Sequence, residues 1–140
     1  MKISKINLLL ILIGLFLILF AGLRPVGIDW DSLTYVSYLN MPMNKLFSLK
    51  LEPFLLLLVY LIQNLFYTNA TVFFLIFAII GVSLKLYAIK KMSLFPLISV
   101  LIYISLYFVL HEMTQIRAGV ASGFFLLAIP DIVNRNFKTY

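Results

Sequence analysis

Five long apolar runs dominate the sequence and limit the folds open to the chain. They cover residues 6–23, 54–67, 70–89, 94–110 and 116–129. A helix needs about 20 apolar residues, and at least about 17, to cross a bilayer. Hydrophobic residues make up 64% of the chain and charged residues 11%, whereas about a quarter of a soluble domain is charged. The runs predict an all-α, polytopic membrane bundle that forms one membrane domain over residues 1–140.

The second run differs from the others because it is short and interrupted. Glu52-Pro53 opens it, and Gln63-Asn64 breaks its apolar core. An apolar segment of this length is more often re-entrant or interfacial than a full crossing. We therefore predict about four spans and one short re-entrant or interfacial helix. The predicted spans are 6–23, 70–89, 94–110 and 113–133, with an external loop at 24–52 and the short helix at 53–67.

The positive charges favour four crossings over five. With a cytoplasmic N-terminus, four spans keep these cations inside: Lys2, Lys5, Lys90, Lys91, Arg135 and Lys138. A fifth crossing would move the last four outside, against the tendency of Lys and Arg to stay cytoplasmic. Because the cations flank apolar runs, the net charge of +6 does not indicate nucleic acid. Four spans also bring the loop after the first span and residues 111–117 to the same external face.

The first external loop concentrates polar and turn-forming residues. Arg24-Pro25 ends the first helix, because the residue before a proline is driven out of the α region. Gly27 provides a turn, and Asp31 is the predicted N-cap of an interfacial helix at residues 32–40. Tyr35 on that helix is expected to lie at headgroup depth. Asp29 has no comparable structural explanation and is therefore a functional candidate.

A second polar cluster precedes the last apolar run. His111 and Gln115 are four residues apart, which places them on one face of a continuous helix, and Glu112 and Arg117 are the nearest opposite charges. Polar residues at membrane depth are costly and mark pathways, pairs or sites. The alternative is a turn solvated among the lipid headgroups.

Two further features point to packing. Gly119 and Gly123, with Ala118 and Ser122, form stripes of small residues that let membrane helices approach closely. Lys85, near the end of the third run, is predicted to extend its ammonium group toward the cytoplasmic surface.

The sequence predicts neither a metal site nor a cofactor. It contains one histidine and no cysteine, and it lacks a glycine-rich phosphate loop. The pair Asp29-x-Asp31 supplies too few ligands to specify a cation.

The order of these motifs resembles the N-terminal part of the EpsG family, the Wzy-like polymerases of bacterial capsules and exopolysaccharides. Its most specific pieces are Arg24-x-x-Gly27-x-Asp29 and Gln115-Ile116-Arg117. Tyr35, Glu52-Pro53-Phe54 and Lys90-Lys91-x-Ser93 follow in the same order. The family usually has glutamine after the arginine of the second motif, where this chain has Ala118. Family members are longer, so we expect the chain to be an N-terminal fragment of a longer polytopic protein, inactive by itself.

The resemblance implies glycosyl transfer at the external face of the bacterial cytoplasmic membrane, in a multi-pass protein with a cytoplasmic N-terminus. A polysaccharide on an undecaprenyl-pyrophosphate carrier would be transferred to a lipid-linked repeat unit. The implied partners are the undecaprenyl-pyrophosphate-linked oligosaccharide, the lipid bilayer and other membrane proteins of polysaccharide assembly.

Under this hypothesis the candidate residues have two roles. Arginines bind pyrophosphate through charge-assisted hydrogen bonds, and a carboxylate deprotonates an acceptor hydroxyl. The candidate catalytic residues are Asp29, Glu112 and Arg117. The candidate substrate-binding residues are Arg24, Gly27, Tyr35, His111 and Gln115.

Two alternatives stay open. One is a polytopic glycosyltransferase that uses a lipid-linked monosaccharide donor, since such enzymes also have an acidic first loop and a Pro-aromatic segment. The other is a non-catalytic membrane subunit or truncated remnant that packs through Gly119 and Gly123. The first would add a single sugar, and the second would tolerate replacement of Asp29 and Arg117.

Overall fold

Helices account for most of the computed structural model, which describes residues 5–133. Polar residues, prolines and glycines between the apolar runs lie at or next to most of the helix ends. In chain order they are α1 (Lys5–Gly22), α2 (Trp30–Asn40), α3 (Met43–Ser48), α4 (Pro53–Leu65), α5 (Ala70–Met92), α6 (Pro96–Tyr103), a π-helix (Ile104–Thr114) and α7 (Ile116–Val133). The charged residues Lys2, Arg135 and Lys138 lie outside the described residues.

Three of these segments are long and apolar enough to cross a membrane: α1, α5 and the continuous segment Pro96–Thr114. Two shorter apolar helices accompany them, Pro53–Leu65 and Ile116–Pro130. The predicted all-α membrane bundle is therefore confirmed. Because α4 has only 13 residues, it is shorter than a full crossing requires. Its re-entrant path and the crossing by α7 stay predictions.

Helices α1 and α5 pack antiparallel along their lengths. Gly14 of α1 faces Leu86 of α5, and Gly22 faces Leu75, so the pairing runs in opposite directions. At one end Asn7 and Lys90 line the same groove. The start of α1 and the end of α5 therefore lie on one side of the bundle, as the four-span arrangement requires. Which side faces the cytoplasm stays a prediction.

The helices that follow α1 cover the opposite end of α5. A buried cluster joins α2, α3 and α4 to α5 through Tyr35, Leu39, Leu46, Leu55, Val59, Ile62, Phe73, Phe74 and Phe77. Gln63, which interrupts the second apolar run, donates hydrogen bonds to the carbonyls of Leu39 (3.1 Å) and Met41 (2.9 Å). Because the end of a helix leaves carbonyls without partners, this amide ties α4 to the C-terminus of α2.

The start of α2 corrects the predicted cap. Asp29, not Asp31, is the N-cap, since its Oδ1 accepts a hydrogen bond from the Ser32 backbone N–H at 2.7 Å. The helix begins at Trp30, two residues earlier than predicted. Gly27 has a φ of 96°, which glycine adopts without steric cost, and its N–H donates to Ser32 Oγ.

Tyr35 also departs from the sequence-based expectation. Only 3% of its surface is exposed, because it packs against Phe73 and Phe74 of α5. The expected interfacial tyrosine is a core residue, whereas the neighbouring Trp30 is 87% exposed.

The segment before α7 winds as a π-helix rather than as the expected α-helix. Residues 104–114 have this form, and the Gln115 N–H donates to the Leu110 carbonyl, five residues earlier, at 2.7 Å. The helix break at Gln115 separates this segment from α7. His111 and Gln115 therefore do not share a helix face, contrary to the prediction.

The small residues of α7 lie where close approach was predicted. A side chain at Gly119 would collide with the backbone of His111, and one at Gly123 would contact Leu84 of α5. The first part of α7, which carries Arg117, therefore packs closely against both the π-helix and α5.

Candidate functional site

An open pocket of about 850 Å³ lies between α2, the start of α4, α5 and the start of α7. Its wall has both polar and apolar side chains, and α7 contributes side chains of both kinds. The polar residues are Asp31, Tyr35, Glu52, Gln115 and Arg117; the apolar residues are Phe54, Leu55, Phe77, Ala118, Val120, Ala121 and Phe124. We call this site the open pocket.

An ion pair lies in the polar part of the open pocket. Arg117 Nη1 donates to both carboxylate oxygens of Glu52, at 2.8 and 2.7 Å. The side chains are 43% and 61% exposed. The pKa of Glu52 lies below its ordinary value, chiefly because its own backbone N–H donates to the carboxylate; Arg117 adds to this lowering, while burial opposes it. Both groups are charged at neutral pH and reachable from the pocket.

Tyr35 forms the floor beneath Arg117. The guanidinium carbon lies 5.9 Å from the centre of the tyrosine ring, within the range of a cation–π interaction. Burial raises the pKa of the Tyr35 hydroxyl, and Arg117 partly opposes this shift. The hydroxyl is therefore neutral at physiological pH and can act as a hydrogen-bond donor toward the pocket.

A second polar cluster is sealed inside the bundle. Lys85 Nζ pairs with the Glu112 carboxylate and also donates to the Gly119 carbonyl at 2.8 Å. The Tyr103 hydroxyl donates to Glu112 Oε1 at 3.0 Å. The side chains of Lys85 and Glu112 are 3% and 1% exposed. The expected snorkelling lysine is thus a buried ion-pair partner, and Glu112 pairs with it rather than with Arg117.

The pair requires a gap in α5. A side chain at Gly81 would overlap the Glu112 carboxylate, so only glycine at this position lets the π-helix bring its carboxylate this close. The pair joins α5, the π-helix and α7 at one level of the bundle.

Arg24 extends this cluster toward the first loop. Its Nη1 donates to the Glu112 backbone carbonyl at 2.9 Å, its Nε lies 3.6 Å from Asp29 Oδ2, and its guanidinium stacks on Phe74 at 4.3 Å. Burial lowers the pKa of Arg24, and the negative charge of Asp29 opposes the shift. We call Asp29, Arg24, Glu112, Lys85 and Tyr103 the buried network.

Comparison with known proteins identifies the family. The sequence model described as the EpsG family matches residues 7–140. The chain belongs to the EpsG family. This EpsG chain is also 31% identical over 139 residues to the amylovoran biosynthesis protein AmsC of Erwinia amylovora. The alignment covers 90% of the EpsG chain but only 36% of AmsC. No solved structure matches the EpsG chain.

The candidate residues of this EpsG chain separate into two places. Arg117, Tyr35 and Gln115 line the open pocket. Asp29, Arg24 and Glu112 belong to the buried network. The remaining two candidates, Gly27 and His111, do not line the open pocket. The Gly27 N–H donates to Ser32 Oγ, and His111 Nδ1 lies 3.5 Å from Ser122 Oγ.

Two acidic pocket residues of the EpsG chain were not among the candidates. From the sequence, Asp31 is assigned to a cap and to a pair with too few ligands for a cation, and Glu52 is placed at the start of the short helix. The available signal for Glu52 was its place in the Glu52-Pro53-Phe54 motif, which the resemblance already included. Within residues 5–133, no group of three or more His, Cys, Asp or Glu side chains is arranged to hold a metal ion.

Proposed function

We propose that this chain supplies the pyrophosphate-binding part of a membrane polymerase that joins lipid-linked saccharide repeat units in exopolysaccharide biosynthesis. Membership of the EpsG family and the similarity to a protein named for amylovoran biosynthesis support the pathway. The helical membrane bundle supports a substrate that is carried on a lipid.

One observation carries the proposal: the open pocket combines an accessible arginine with apolar walls. A polyprenyl-pyrophosphate sugar has the same division, with an anionic centre between a saccharide and a hydrocarbon chain. Arg117 would bind the pyrophosphate through charge-assisted hydrogen bonds. Phe54, Phe77 and Phe124 would contact the hydrocarbon next to it, and Tyr35 and Gln115 would hydrogen-bond to the saccharide.

The proposed reaction needs negative charge to be stabilised as the pyrophosphate leaves. A positioned guanidinium is suited to this role, because it acts where charge develops in the transition state. Asp29 and Glu112 are engaged in a helix cap and a buried pair, so we assign them to positioning. Through Arg24 and Lys85 they hold the first loop and the start of α7, which carries Arg117.

Replacing Arg117 in the protein expressed from its complete reading frame tests the proposal. In a host strain that lacks the native gene, Arg117→Ala should abolish high-molecular-weight polysaccharide and cause lipid-linked repeat units to accumulate. Lys50→Asn is the control, because Lys50 is exposed and has a φ of 51° that asparagine tolerates. Normal polymer from Arg117→Ala, with both proteins equally present in the membrane, would overturn the proposal.

The accumulated product separates the alternative enzyme from the polymerase. Glu52 and Phe54, from the Pro-aromatic segment that single-sugar transferases share, both line the open pocket. If incomplete repeat units accumulate in the Arg117→Ala strain instead of complete ones, the transfer of one sugar is the better description.

A further inference from the structure

We propose that Glu52 competes with the lipid pyrophosphate for Arg117 and, once displaced, accepts the proton of the attacking hydroxyl group. This inference rests on the proposed function and adds the identity of the base. It begins from the geometry of the ion pair, in which one nitrogen, Arg117 Nη1, is shared by both carboxylate oxygens of Glu52.

The pair can be exchanged at low cost. Both side chains are substantially exposed, and an exposed pair contributes only about a twofold to fivefold preference. A pyrophosphate carries more charge and more acceptor oxygens than one carboxylate, so it binds a guanidinium more strongly. Glu52 therefore keeps Arg117 directed into the open pocket without preventing a pyrophosphate from replacing it.

Two carboxylates line the open pocket, those of Asp31 and Glu52, and Glu52 is the one that pairs with Arg117. Asp29 accepts the helix-cap hydrogen bond, and Glu112 is sealed beneath Lys85 and Tyr103. Glu52 is 61% exposed and borders the pocket from the start of α4. When it leaves Arg117, its carboxylate still lines the same pocket as the arginine that would hold the pyrophosphate.

The proposed step balances in atoms and charge. The oxygen of the acceptor hydroxyl forms a bond to the anomeric carbon of the donor sugar, and its proton passes to the Glu52 carboxylate. The bond between the anomeric carbon and the pyrophosphate oxygen breaks, and its electron pair leaves with the pyrophosphate. Arg117 neutralises the charge on that leaving group, so no further reactant is required.

Displacement of Glu52 from Arg117 also raises the basicity of its carboxylate. While paired, its pKa is held below the ordinary value in part by Arg117. Loss of that contact and the approach of the pyrophosphate charges both favour protonation. The carboxylate becomes a stronger base only when the donor is bound.

Binding of farnesyl pyrophosphate to the purified full-length protein tests the competition. Glu52→Gln should bind this probe about twofold to fivefold more tightly than the wild type, because the competing charge is lost. Arg117→Gln should bind it about tenfold to a hundredfold more weakly, because a charge-assisted contact is lost. Lys50→Asn, which alters the charge of the loop preceding α4, is the control and should change the affinity by less than about twofold.

Polymer formation in cells tests the base. Glu52→Gln should lower the polymerisation rate by about a hundredfold or more, the usual contribution of a general base. Glu52→Asp keeps a carboxylate and should retain more polymer than Glu52→Gln. Tighter probe binding together with lost polymer supports the inference.

The failures can be told apart. If the wild type does not bind the probe, the proposed function fails. If it binds and Glu52→Gln binds equally or more weakly, the competition is wrong. If Glu52→Gln binds more tightly but makes polymer at the wild-type rate, or if Glu52→Asp is no better than Glu52→Gln, the base assignment is wrong.

Discussion

The open pocket and the buried network both contain an acid–base pair, yet their surroundings are opposite. Arg117 and Glu52 are 43% and 61% exposed, whereas Lys85 and Glu112 are 3% and 1% exposed. An exposed pair is weak and exchangeable, while a buried charge left without its partner is costly. We therefore expect the exposed pair to exchange partners and the buried pair to hold helices in place.

Breaking the buried pair should have the largest effect on stability. Lys85→Met leaves the Glu112 carboxylate buried without its countercharge, and we expect a loss of about 3–5 kcal/mol in the free energy of unfolding. Thermal unfolding of the detergent-solubilised protein measures this loss. Lys85→Met combined with Glu112→Gln removes both charges and should recover most of it. Wild-type stability for Lys85→Met would contradict the distinction between the two regions.

Filling the gap beside the network should have the next largest effect. Gly81→Ala forces the Glu112 carboxylate away from α5, and overpacking of this kind costs about 1–3 kcal/mol. Gly14→Ala is the matched control, because its added methyl group meets only the flexible end of Leu86. The same unfolding assay should give a smaller loss for Gly14→Ala, and equal losses would show that Glu112 can move freely.

Asp29 distinguishes a structural carboxylate from a catalytic one. Asp29→Ala and Asp29→Asn both remove the charge beside Arg24, but asparagine still accepts the Ser32 hydrogen bond. We therefore expect Asp29→Asn to be more stable than Asp29→Ala by about 1 kcal/mol, the contribution of an N-cap, and to retain more polymer. Equal loss of polymer at equal membrane levels would instead support Asp29 as the base.

The pH dependence of the exposed pair should be the smallest effect. The pKa of Glu52 is lower in the folded protein than its ordinary value of 4.5, chiefly because its own backbone N–H donates to the carboxylate and in smaller part because of Arg117. The stabilisation from these contacts is therefore complete above that value and is lost as the pH falls through the lowered pKa. Wild type and Glu52→Gln should differ in unfolding free energy by less than about 1 kcal/mol at neutral pH. This difference in unfolding free energy should disappear in acid. A difference that persists in acid would show that it arises from packing and not from the charge of Glu52.

Much of the fold could be predicted because local signals determine it. Pro53 begins α4, as expected from a proline at the first helical turn. The membrane bundle could also be predicted from local signals, because the length of an apolar run indicates whether a helix can cross the bilayer.

The site was harder to predict because its pairs join distant parts of the chain. Glu112 meets Lys85 across 27 residues, and Arg117 meets Glu52 across 65. In sequence, Glu112 and Arg117 are the nearest opposite charges, so proximity along the chain suggested the wrong pairing. The π-helix could not be predicted either, because a run of apolar residues is equally compatible with π-helical and α-helical winding.

The buried pair has a consequence for the order of events during synthesis. Lys85 leaves the ribosome 27 residues before Glu112, and at about 5–20 residues per second the delay is about one to five seconds. During this interval α5 must enter the bilayer with a lysine whose cost is below the value of about 2.5–3.5 kcal/mol for a central position, because Lys85 lies toward the end of the third apolar run. The aromatic and aliphatic residues of α5 supply the opposing insertion energy, so we expect α5 to enter the bilayer before the π-helix arrives.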